Sequence, residues 1–362
     1  MDPDVTAAES RRAPSPAPAT TERTVTVTML GAPSCGKTTY MLATYATLSR
    51  GVSAFSLVEQ DHDRDKDLGD AWDRLTREGV LPLPTDETPQ HHLFAFNYGA
   101  TELMRLAWTD FRGGAMDARL SDAQAGDAAE LVARLAGSDS IYLVLDSDHL
   151  VGRADGLTQL SMARRMTSLV RRAFQERLCR HLPLPSLAVL LTKADLLTMY
   201  GDDTPAADRL DRAHGQVRDL LPVMTMPGVT AVVCPVMVGQ FGEANATRVD
   251  PRTITPKDLH LPVLFTAEQW LRRDAARYAA QAHALAAERQ DLTVVSTELQ
   301  SRFLHGLRHG GRIREAQTRL GYLGDAERQA WAAAYVRGQW ADLIAGELRE
   351  VPVYIGGVRR DA

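Results

Sequence analysis

The chain has 362 residues, a formal net charge of -5 and 24% charged residues. That length can bury a full core with room for an appendage, and the mildly acidic balance, without a clustered run of Lys and Arg, argues against a dedicated nucleic-acid role. Its three cysteines, Cys35, Cys179 and Cys234, have neither metal-ligand spacing nor an even count, no apolar run reaches the roughly 20 residues of a membrane span, and a reducing cytoplasm is the expected setting.

Residues 1–22 are Ala, Pro, Ser, Thr and charge, a composition that buries too little to offset its ordering entropy, so a disordered tail is expected. The start Met1-Asp2-Pro3-Asp4 is acidic and does not read as a secretory signal. Thr24–Leu30 is a β-branched and apolar run suited to a buried strand. Thr38–Ser49 contains no Gly or Pro and carries Met41, Leu42, Tyr45 and Leu48 at helical spacing. Residues 51–91 are less regular. They hold a charge cluster over Gln60–Lys66 and a helix over Asp67–Glu78 with Leu68, Trp72 and Leu75 on one face. A proline-broken loop follows through Leu81–Pro89. His92–Tyr98 and Glu102–Trp108 read as a hairpin across Gly99–Thr101.

A loop and a short helix lead to the apolar strand Ser140–Asp146. Next comes a long helix, Leu157–Leu182, whose Met162, Met166, Leu169, Val170, Phe174 and Leu178 form a core stripe. Ser186–Asp195 is a strand with a polar tip, Ala206–Leu221 a helix and Val229–Val236 the last long strand. A Gly/Asn/Thr/Pro loop occupies Gly239–Lys257. Val263–Gln290 reads as a long Ala-rich helix. The tail over Asp291–Glu350 reads as helical with breaks at Gly310-Gly311 and Gly321–Gly324, and Val351–Ile355 as an edge strand because of Pro352. Strands alternating with helices predict an α/β fold, a mainly parallel sheet with helices on both faces and an α-helical C-terminal extension. The expected division is a tail (1–22), a nucleotide-binding domain (23–262) and the extension (263–362).

The most informative stretch is Gly31-Ala32-Pro33-Ser34-Cys35-Gly36-Lys37-Thr38, a G-x-x-x-x-G-K-T loop between a predicted strand and a predicted helix. Backbone N–H groups along Ser34, Cys35 and Gly36 turn inward as an anion site, and the helix start adds its partial positive end. Lys37 brings a full positive charge to the β- and γ-phosphates. The Thr38 hydroxyl suits Mg²⁺, a hard cation that takes oxygen ligands, and Thr39 is placed to meet the α-phosphate. Cys35 reads either as an oxidisable thiol or as a small side chain directed away from the phosphates.

Three further signals fall at strand ends, where open α/β sheets bind ligands. Asp110-Phe111-Arg112-Gly113 is a D-x-x-G, whose Asp holds Mg²⁺ through water and whose Gly N–H meets a γ-phosphate. Thr192-Lys193-Ala194-Asp195 is a T-K-x-D. Its Asp carboxylate matches the N1–H and N2–H₂ donors of guanine, a pair that adenine lacks. The Lys193 stem lies along the base, and Thr192 supplies a positioning hydroxyl. Cys234-Pro235-Val236 sits where a backbone N–H would meet the guanine O6. Leu143-Val144-Leu145-Asp146 is the nearest match to the second acidic motif of an ATPase. His91-His92 lacks a third ligand at metal spacing, and Asp61, Asp63, Asp65 and Asp67 lack the Gly and terminal Glu of a calcium loop.

The phosphate loop, D-x-x-G and T-K-x-D in this order resemble the P-loop GTPases of the translation-factor-related and Ras-like clade, over about Thr24–Val236. At finer grain the chain resembles bacterial GTPases of the double-GTPase type, which are encoded beside other components of conflict or stress-response systems. The resemblance implies GTP and GDP as ligands, Mg²⁺ as cofactor, and a sheet with one antiparallel strand at His92–Tyr98. It makes Gly31, Gly36, Lys37 and Thr38 the phosphate and metal site, Asp110 and Gly113 the second switch, and Lys193 and Asp195 the guanine reader. The first-switch threonine is sought at Thr85 or Thr88. The family's water-orienting Gln is replaced by Gly114, so slow intrinsic hydrolysis is expected unless a partner completes the site. Arg112 is either a transition-state cation or a solvated surface arginine. The resemblance further implies a protein effector or activating partner. A non-hydrolysing nucleotide-binding scaffold and a P-loop ATPase are the competing readings, and association of the chain with itself through the extension is a hypothesis.

Overall fold

The computed structural model describes residues 24–82, 90–110, 122–151, 156–199, 205–241, 248–303 and 310–360. The chain divides into a sheet-containing unit, residues 22–267 and 345–362, and a helical unit, residues 268–344.

In the first unit the strands are β1 (Thr24–Gly31), β2 (Phe55–Glu59), β3 (Gln90–Tyr98), β4 (Thr101–Asp110), β5 (Ser140–Asp146), β6 (Ser186–Thr192), β7 (Thr230–Pro235), β8 (Val353–Ile355) and β9 (Val358–Arg360). They form one sheet in the order β2-β3-β4-β1-β5-β6-β7-β8-β9. The central five, β4-β1-β5-β6-β7, run parallel. β3 is antiparallel to both β2 and β4, and β8 to both β7 and β9. The single antiparallel strand expected at His92–Tyr98 is present, and β8 is a second one. The terminal strand expected over Val351–Ile355 is narrower, and β9 rather than β8 forms the edge. β1 lies between β4 and β5, so the chain leaving it by the intervening helix returns on one side and later crosses to the other. This is the switch point at which such sheets hold ligands.

The central strands are buried on both faces, as parallel strands must be. Leu30, Ile141, Leu143, Leu187, Val189, Ala231 and Val233 line one face. They pack against α3 (Asp122–Gly137), α5 (Gly156–Cys179) and α7 (Ala206–Leu220) through Leu135, Phe174 and Val217. The opposite face is covered by α1 (Lys37–Ser49) and by the start of α8 (Leu261–Phe303). There the Tyr40 hydroxyl donates to Leu259 O at 3.1 Å, and the Tyr142 hydroxyl to Pro262 O at 2.9 Å.

Strand β2 lies in the stretch whose sequence is less regular, and α2 (His62–Glu78) begins before the predicted Asp67. The reason is visible at the helix start. Asp61 caps α2 by accepting from the Asp63 and Arg64 N–H groups at 3.0 and 3.2 Å, so much of the charge cluster is a helix N-terminus. Leu68, Trp72 and Leu75 are its buried stripe. Short helices α4 (Ser147–Leu150) and α6 (Asp195–Met199) follow β5 and β6.

In the helical unit, α8 and α9 (Gly310–Glu347) pair in reverse order along the chain. Arg272 meets Asp342 at 3.1 Å and Arg289 meets Glu327 at 3.0 Å. The buried Asp274 carboxylate bonds Arg337, whose guanidinium lies 4.2 Å from the Tyr278 ring centre. The helix break expected at Gly321–Gly324 does not occur, because α9 runs through both glycines. Buried Leu323 and Ala330 on this helix supply packing that outweighs the roughly 1 kcal/mol each glycine costs in a helix. No helix among the described residues is long and apolar enough to cross a membrane.

Candidate nucleotide-binding site

β1 ends at Gly31, and α1 begins at Lys37. Between them the backbone enters the left-handed region twice, at Ser34 (φ 58°) and at Gly36 (φ 87°). Such alternation is the backbone form of an anion nest; here the Cys35 N–H donates to Ala32 O at 3.5 Å, closing the loop on itself. Gly31 is required for a different reason. A Cβ there would lie 2.8 Å from Cys35 Sγ and 2.9 Å from Val144 O of β5. The loop is therefore seated directly on the neighbouring strand.

Lys37 is 7% exposed. Its ammonium donates to Gly31 O at 3.0 Å and Ala32 O at 2.8 Å, so it reaches back along the loop it follows. Cys35 is buried with its sulfur 3.9 Å from that ammonium. Burial pushes the thiol pKa up, with Lys37 pulling against it, which is the behaviour of a packed rather than a reactive cysteine. Thr39 is half-buried in the first turn of α1.

The Thr38 hydroxyl donates to Asp110 Oδ2 at 3.0 Å, joining the start of α1 to the end of β4. Asp110 is fully buried. A hydroxyl at the start of α1 and a buried carboxylate beside it are oxygen groups of the kind Mg²⁺ takes, the hydroxyl directly and the carboxylate through water. Thr85, Thr88, Arg112, Gly113 and Gly114 lie outside the described residues, as do residues 1–22.

The T-K-x-D turn is tied to the phosphate loop. Thr192 Oγ1 lies 2.6 Å from Cys35 O and 3.1 Å from Leu145 O. One hydroxyl proton serves one acceptor at a time, and the shorter contact is to the loop. Lys193 takes a left-handed conformation at φ 53°, and its ammonium meets Asp146 Oδ2 at 2.5 Å. Asp195 is 2% exposed, and its carboxylate accepts the Phe241 N–H at 3.2 Å. Val236 is stitched to the same turn. Its N–H donates to Leu191 O at 2.9 Å and its carbonyl accepts the Ala194 N–H at 3.3 Å.

Two residues at these strand ends carry no such signal in the sequence. Asp146 resembles only the second acid of an ATPase there, and the structure gives it to Lys193 and to the Asp148 N–H at 3.0 Å. Phe241 acts through its backbone, which leaves no side-chain signal. Two residues earlier the chain packs closely at Gly239, where a Cβ would meet Thr253 O at 2.6 Å.

A family model described as Double-GTPase 2 matches residues 25–229. No curated protein matches the chain. Among solved structures, a mutation variant of SsGBP aligns at 14% identity over 59% of this chain and 49% of that one, with a TM-score of 0.28. Sup35 complexed with GDP aligns at 14% identity over 64% of this chain and 41% of that one, with a TM-score of 0.29. The chain thus spans about half or less of those proteins' length.

Proposed function

The chain belongs to the Double-GTPase 2 family, and from that premise we propose a GTP-binding switch with slow Mg²⁺-dependent hydrolysis, whose nucleotide state a protein partner reads. The observation that carries this reading is the Thr192 hydroxyl against Cys35 O at 2.6 Å. It holds the turn bearing Lys193 and Asp195 against the phosphate loop, so a single ligand carrying both phosphates and a purine fits across the two.

Each residue then has a task. The nest at Ser34–Gly36 and the start of α1 receive phosphate oxygens. Lys37, already aligned along the loop, adds the charge. Thr38 and Asp110 would hold Mg²⁺, which when bound neutralises charge on the β- and γ-phosphate oxygens. Asp195, fixed by the Phe241 N–H, accepts from the guanine edge. An adenine would leave that buried carboxylate facing no donor, and sites of this design discriminate by roughly 10⁴-fold.

Slow turnover follows from Gly114, which has no side chain to orient water at the position after D-x-x-G. A partner or Arg112 would supply what is missing. The test is single-turnover phosphate release from GTP with Mg²⁺, with and without cell extract. Slow release that extract accelerates supports the switch. Release that no condition accelerates supports a scaffold in which GTP only stabilises the fold.

A further inference from the structure

Asp146 closes β5, the strand between β1, which carries the phosphate loop, and β6, which carries the T-K-x-D turn. In register it faces Thr192. A nucleotide with phosphates at the loop and its base at Asp195 crosses this strand end. Here the Lys193 ammonium meets Asp146 Oδ2 at 2.5 Å, with the two side chains only 18% and 11% exposed. The other oxygen, Oδ1, accepts the Asp148 N–H at the start of α4 at 3.0 Å. The carboxylate is thus anchored from its own strand end, and the lysine is what it holds. The stem of Lys193 runs from the end of β6 back to the end of β5.

The geometry points to Asp146 as a positioning residue for the nucleotide: by tethering the Lys193 ammonium it fixes the lysine stem as a platform beneath the base and ribose, and so slows nucleotide release. The inference rests on the guanine-nucleotide reading above. A lysine stem has much rotamer freedom to lose, and a tether in place before the ligand arrives removes that loss from the binding step. A solvated ion pair would contribute little, but this one is largely shielded and its acceptor is held by a second bond.

The test uses the full chain and a fluorescent GDP, with release and association measured separately by stopped flow. Asp146→Asn and Asp146→Ser both remove the charge while keeping a good cap for α4, so either serves if the other folds poorly. Each is expected to release GDP about ten-fold faster, the lower range for a charge-assisted hydrogen bond, with association changed little. Lys193→Met should release at least as fast, and adding Asp146→Asn to it should change nothing further, because Asp146 acts through Lys193. Wild-type release from the Asp146 variants, or effects that multiply in the double variant, would overturn the inference. Wild-type protein that takes up fluorescent ADP as well as GDP would instead overturn the guanine reading beneath it.

Discussion

Gly31→Ala adds one methyl group where the phosphate loop rests on β5. The new Cβ would lie 2.8 Å from Cys35 Sγ, 2.9 Å from Val144 Cβ and 2.9 Å from Val144 O. Carbon contacts are comfortable from about 3.5 Å, so all three neighbours are too close. Cys35 is buried, and Val144 is paired with Gly31 itself in the β1–β5 ladder, so neither yields locally. Overpacking of this kind costs about 1–3 kcal/mol, or roughly 2–4 °C of Tm per kcal/mol in a domain of this size. Relief requires β1 and β5 to part, which moves the loop as well. GDP affinity should therefore fall further than the loss of stability alone explains. Gly36→Ala is the comparison. Its nearest neighbour is Thr192 Cβ at 3.7 Å, but its φ is +87°, so its cost is backbone strain of about 1–2 kcal/mol. Urea denaturation and GDP titration of both variants separate the two causes. A Gly31→Ala protein as stable and as tightly binding as wild type would refute the packing argument.

In the helical unit, Asp274→Ala leaves buried Arg337 without its carboxylate, a loss of about 3–5 kcal/mol; hydrogen exchange over residues 268–344 should rise. Unchanged exchange there would show the pair to be dispensable. Among the thiols, Cys179 is exposed while Cys35 and Cys234 are buried, so a thiol reagent at neutral pH should modify Cys179 in the native protein and the other two only in denaturant. Rapid native labelling of Cys35 would contradict its packed environment. Stability should also fall on acidification. Burial holds the His92 pKa below its ordinary value, opposed by Glu59 at 3.0 Å, with Arg64 lowering it further and Asp110 raising it. Burial lowers His214 and His260 likewise. A folded pKa below the unfolded one means that stability is intact above about pH 6.5 and is lost as pH drops from there toward the folded value. His92→Gln should make the fall in urea midpoint shallower, and an unaltered profile would remove His92 from the account.

Much of the fold was legible because its signals are local. The apolar runs of β1, β5, β6 and β7 and the hairpin around Gly99 follow from pattern alone. Strand β2 has no such signal, because its buried Glu59 runs straight into the charges of Gln60–Lys66. That carboxylate is held locally by the Gln60 and Asp61 N–H groups at 2.9 and 3.2 Å and, across the β2–β3 pair, by His92, a partner that only the folded sheet brings near. The glycines at 321 and 324 were over-read for the complementary reason: a propensity was visible, and the packing that overrides it was not. At the candidate site, the loop, Thr38 and Asp110, and the T-K-x-D turn stand out by spacing, and the fold brings Thr38 to Asp110 and Thr192 to Cys35. The pairing of Asp146 with Lys193 does not stand out by spacing, since it depends on β5 and β6 being neighbours.

Whether Asp195 reads guanine in a site continuous with the phosphate loop is decided by titrating GTP, ATP and XTP, with Mg²⁺, against wild type and Asp195→Asn. Tight GTP binding that moves to XTP in the variant is expected, because an Asn amide complements the carbonyl of xanthine where the carboxylate matched the amine of guanine. Equal binding of GTP and ATP, unaffected by the substitution, would remove Asp195 as the guanine reader.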